Sequence, residues 1–106
     1  MARLTTKYTV DTEHDYYTHQ PALIQIEFIL PQSLILVIEV CHLPDASTQE
    51  FTFIQSLLEV VFDPAHVIYS WGDAIHELSR FTTYGLCSWS TLGRMTTVDV
   101  QRAFKT

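Results

Sequence analysis

Glycine, proline and basic residues are scarce in this chain, with three Gly, four Pro and six Lys plus Arg among 106 residues. Few Gly and Pro, together with 47% apolar and 12% aromatic residues, argue against a disordered chain and for a packed body. Twelve Asp plus Glu outweigh the basic residues and leave a formal charge of −6. That balance repels polyanions, favours cations and leaves little for an electrostatic nucleic-acid groove. The two cysteines, Cys41 and Cys87, stand far apart and match no metal or redox spacing, which argues against a disulfide framework and for a reducing compartment. The opening MARLTTKYTVD has no apolar core of signal-peptide length, and no window approaches the apolar length that crosses a bilayer. No repeat, low-complexity tract, nucleophilic triad, phosphate-binding glycine loop or haem motif is present. The expectation is one soluble, intracellular domain, nuclear or cytoplasmic, over residues 1–106.

What is present is a series of short elements. In KYTVDTE, Tyr8 and Val10 share one face and Thr9, Asp11 and Glu13 the other, the period of a strand. After the polar turn HDYYTHQP come ALIQIEFIL, the turn PQS, and LILVIEVCHL, two apolar runs whose near-continuous hydrophobicity predicts strands covered on both faces. Within the second run Cys41 reads as a core residue. PDASTQEFTFIQSLLEVVFDP then changes period. Ser47 with Glu50 forms a capping box, Ile54, Leu57, Leu58 and Val61 recur at helical spacing, and Asp63-Pro64 stops the run. HVIYSW predicts a strand, GDAIHELSRFTTYG a helix capped by Asp73, and MTTVDVQ a last strand. Three strands joined by short turns, then helix, strand, helix and strand, make a mixed α/β sheet, antiparallel at first and parallel after the crossovers.

In such a sheet a strand pairing of KYTVDTE with HVIYSW brings Asp11 and Glu13 to the carboxyl edge from which the second helix starts. Asp73 and Glu77, four apart on one helix face, lie near them. Like charges gathered there are unfavourable unless cations neutralise them, and oxygen-only clusters suit Mg2+ or Mn2+. The acids have plainer readings too: Asp11 and Glu13 as a solvated strand end, Asp73 as a helix cap, Glu77 as an exposed helix acid. The five His lack the paired spacing of a zinc motif, and Trp71 and Trp89 read more readily as core than as base-stacking platforms.

VDTEHD resembles the first motif, Asp-x-Glu on the first strand, of the DEDD-type 3′–5′ exonucleases of the ribonuclease H-like fold. ALIQIEF and LILVIEVCHLP are similar to that family's second and third strands. HVIYSWGDAIHELSRFTTYGL has the layout of its second motif, and TVDVQRAF looks like the strand that follows. The likeness runs from about Tyr8 to Phe104. It implies a ribonuclease H-like mixed sheet and metal-dependent phosphodiester hydrolysis at single-stranded nucleic-acid 3′ ends. Asp11, Glu13 and Glu77 would be the catalytic residues, and these three with Asp73 would hold a two-metal Mg2+ or Mn2+ site. Two departures accompany it. Glu77 stands where the family carries Asp, and its third motif, a helix bearing Tyr or His and a last Asp, has no counterpart before Thr106. The resemblance is thus to a domain incomplete at its C-terminal part. The alternative is a catalytically degenerate fragment of the same fold, serving as a nucleic-acid-binding or protein-interaction module. An unfinished sheet cover would leave apolar surface for a protein partner.

Overall fold

The structure is a computed structural model that describes residues 7–29 and 34–105. The elements run β1 (Lys7–His14), β2 (Pro21–Phe28), β3 (Leu34–Glu39), α1 (Gln49–Val61), β4 (Val67–Ser70), α2 (Ala74–Ser79), α3 (Trp89–Arg94), β5 (Thr96–Asp99) and α4 (Val100–Lys105). The five strands form one mixed α/β sheet in the order β3-β2-β1-β4-β5, with β1 central. β1 pairs antiparallel with β2, Val10 opposite Ile26, and parallel with β4, Thr9 opposite Tyr69. β2–β3 is antiparallel and β4–β5 parallel. The expected PQS turn lies outside the described residues.

Period-two alternation decides what each strand buries. Tyr8 and Val10, their cross-strand neighbours Ile24, Ile26 and Phe28, and Ile38 and Ile68 turn to one face. They join Phe51, Leu58, Val61 and Phe62 of the α1 region and Leu78, Phe81, Leu86 and Leu92 in one core. Tyr8 is fully buried, its ring edge-on to Phe28 at 5.3 Å, and burial raises its hydroxyl pKa.

The other face departs from expectation. β2 and β3 are not covered on both sides: Ile35 and Val37 remain 52% and 47% exposed. The apolar run of β3 reflects an edge strand with one buried row, Ile38, and one open row. Cys41 is exposed as well, because β3 ends at Glu39 and a 3-10 turn over Val40–His42 redirects the chain.

α1 is capped by Thr48, whose hydroxyl accepts from the Phe51 N–H at 3.2 Å; the expected cap, Ser47, instead donates to Asp45. The stretch predicted as one helix from Gly72 to Gly85 divides into six-residue α2 and a 3-10 turn over Thr82–Tyr84, ended by Gly85 at φ 73. That left-handed conformation suits a residue without Cβ.

Candidate functional site

The carboxyl ends of parallel β1, β4 and β5 meet at one edge of the sheet, where the polar side chains collect. Alternation turns Asp11 and Glu13 to the open face of β1 and Thr12 to the covered face. There Thr12 donates its hydroxyl to Oε2 of Glu77 at 2.9 Å, so β1 orients the α2 carboxylate directly. Asp73 closes the N-terminus of α2: its Oδ1 accepts from the His76 N–H at 3.1 Å. The predicted cap is therefore formed, and the same residue reaches the edge.

Asp11, Thr12, Ser70, Trp71, Asp73 and Glu77 line a cleft of about 70 Å3. Three of the four predicted site acids thus share a cleft, while Glu13 does not line it. The carboxylates are spread more widely than the ligands of a closed cage. Among the described residues just one set of three metal-ligating side chains has all its ligand atoms within 4.8 Å of one another, and it does not include these acids. The donor chemistry fits a hard dication, and Asp11, Asp73 and Glu77 are the residues that would hold it; the acids would have to draw together around the ion.

The loop that carries Asp73 is held from two sides. Ser70 donates to the Gly72 carbonyl oxygen at 2.8 Å, and the Gly72 N–H donates to Oδ1 of Asp99 at 3.1 Å. Gly72 sits at φ 104, a conformation few L side chains adopt. Asp99 was missed in the sequence. It lies at the end of β5 and its Oδ1 also accepts from the Arg102 N–H at 3.0 Å, starting α4. The available signal was an acid just before a helix-forming VQRAFK stretch, obscured by reading MTTVDVQ as strand throughout. Asp73, Asp99 and Arg102 line an adjoining cavity of about 450 Å3.

Trp71 corrects the core reading of the tryptophans. It is 65% exposed, lines the acid cleft, and lies against Phe104 of α4 with ring centroids 5.9 Å apart. Trp89 is likewise exposed. An open cavity of about 450 Å3 beside Trp71 is floored by Thr9, Asp11 and Tyr69 of the open sheet face. Compared with known proteins, the chain matches no family model, no curated protein and no solved structure.

Proposed function

We propose that the carboxyl edge of this sheet binds Mg2+ or Mn2+ and that the chain is a 3′–5′ exonuclease-like domain of the ribonuclease H-like kind, directed at single-stranded nucleic-acid 3′ ends. The observation that carries the reading is the convergence of Asp11, Asp73 and Glu77 with exposed Trp71 on one cleft. When bound, divalent ions would supply a polarised water and stabilise the leaving oxygen of a phosphodiester.

The chain's own contributions are separate. Asp11 and Glu77 offer carboxylate oxygens, Thr12 holds the Glu77 head group, and Glu13 extends the acidic row along the open face of β1. Trp71 with Phe104 offers a stacking platform for a terminal base, a contact worth about 1–3 kcal/mol per base. Arg102, on the adjoining cavity, offers a basic group for a phosphate.

The test combines binding with turnover. Mn2+ at millimolar concentration should broaden the NMR signals around Asp11, Asp73 and Glu77, and a 5′-labelled single strand should be shortened from its 3′ end with Mg2+ or Mn2+ but not by Asp11→Ala. Unmoved signals would overturn the metal reading. A second reading follows from the wide spacing of the acids: a degenerate module that binds a strand or a protein partner on its open sheet face without cleaving. Retained strand binding with no metal-dependent shortening would favour it.

A further inference from the structure

The set of ligand atoms within 4.8 Å of one another belongs to Glu39, Cys41 and His42, at the end of edge strand β3. In a 3-10 turn positions i and i+3 eclipse, and the turn over Val40–His42 stacks His42 on Glu39. His42 Nδ1 lies 3.1 Å from Glu39 Oε2, and Cys41 Sγ lies 4.0 Å from the same oxygen. We propose that Glu39, Cys41 and His42 form a three-ligand site for Zn2+ or a chemically similar borderline-soft divalent ion, with water completing the coordination.

The chemistry of the donors selects the ion. A thiolate, an imidazole nitrogen and a carboxylate oxygen are each zinc ligands, at about 2.0–2.3 Å, and three such ligands with an open fourth position are a recurring zinc arrangement. Mg2+ and Mn2+ prefer oxygen alone. Tetrahedral bonds of that length place ligand atoms about 3.3–3.8 Å apart, so small rotations of side chains already within 4.8 Å close the site. All three residues are exposed, so an ion enters without opening the backbone. Glutamate and thiolate bring two negative charges to a dication, and Glu39 pairs with no Lys or Arg among the described residues.

The site is distinct from the carboxyl edge proposed above and stands or falls independently of it. Glu39 sits opposite Leu23, and Leu23 sits opposite Glu13, so two strand spacings, about 10 Å, separate the two acids. One ion cannot bridge them. The sequence Glu-x-Cys-His lacks the paired ligand repeats of sequence-readable zinc motifs, and the apolar run LILVIEVCHL makes Cys41 resemble a strand residue.

The experiment is a Co2+ titration of the reduced protein under a non-thiol reductant. A thiolate-to-cobalt charge-transfer band should grow in to one ion per chain, disappear on adding Zn2+ and persist in excess Mg2+. Cys41→Ser should abolish it, Cys87→Ser should leave it, and His42→Ala or Glu39→Gln should weaken binding by about tenfold or more. Circular dichroism confirms that each surface variant is folded. No band in excess Co2+, a band that survives Cys41→Ser, or a band indifferent to both His42→Ala and Glu39→Gln would overturn the proposal, the last by showing a lone thiol.

Discussion

Cys87 donates its thiol hydrogen to the Leu78 carbonyl oxygen at 3.5 Å, and burial pushes its pKa up to about 11. At neutral pH it is a thiol, not the nucleophilic thiolate. An alkylating reagent near pH 8 should therefore label exposed Cys41 first and reach Cys87 at a comparable rate only in denaturant; equal rates in the folded protein would contradict the burial. Asp15 is a second titrating residue with a structural cause. Backbone N–H groups of Thr18 and Tyr17, each at 2.9 Å, hold its carboxyl below the usual range. A depressed carboxylate contributes stability that is present above its unfolded pKa, about 3.9, and lost as pH falls through the lower folded value. Asp15→Asn should accordingly lower stability modestly at neutral pH, flatten the acid limb, and converge with the parent as pH falls below about 4. At this scale the sequence was legible where period two applies: Asp11 and Glu13 share a face because they stand two positions apart, with Thr12 between them. It was silent where a turn redirects a side chain, as at Cys41.

Among the elements, α1 shows how far helical spacing carries. Of the stripe read from sequence, Leu58 and Val61 are buried while Ile54 and Leu57 are only partly so, and Phe51 joins the buried set. Leu58→Ala should cost about 2–5 kcal/mol in urea unfolding, whereas Phe53→Ala, on the exposed face, should stay within about 0.5 kcal/mol. α2 separates two roles of one residue. Asparagine caps a helix about as well as aspartate, so Asp73→Asn should preserve stability and weaken cation binding. Asp73→Ala should lose both, with about 0.5–2 kcal/mol of stability. Equal metal affinity in Asp73→Asn and the parent would leave Asp73 a cap alone. α3 and α4 escaped the sequence reading for a physical reason. At six residues each they span less than two turns, too short for an apolar period to repeat. Each starts on a side-chain cap, Ser88 accepting from the Thr91 N–H at 3.1 Å and Asp99 from that of Arg102.

For the molecule as a whole, the order of the five strands with α1 and α2 followed from the alternation of periods, and the edge location of the acids from the parallel register of β1 and β4. Face coverage did not follow, because a run such as LILVIE reads alike for a strand buried twice and for an edge strand buried once. An apolar edge is a template for pairing with another chain. Replacing Ile35 and Val37 by Lys should lower light scattering at high protein concentration while leaving the melting midpoint nearly unchanged, since neither side chain belongs to the core. A large drop in the midpoint would mean that the open face is packed in solution. The central strand also sets a timetable. Tyr8 meets Phe28 through a nearby reversal of the chain, but meets Ile68 only after α1 has been traversed. Closing the longer loop costs more entropy before any contact repays it, so the β1–β2–β3 meander should assemble first and β4 and β5 dock onto its bare flank. Pulsed hydrogen exchange during refolding should protect β2 amides ahead of those of β4. The acid cleft, built from β1 on one side and the β4–α2 loop on the other, would then exist only after the slowest step.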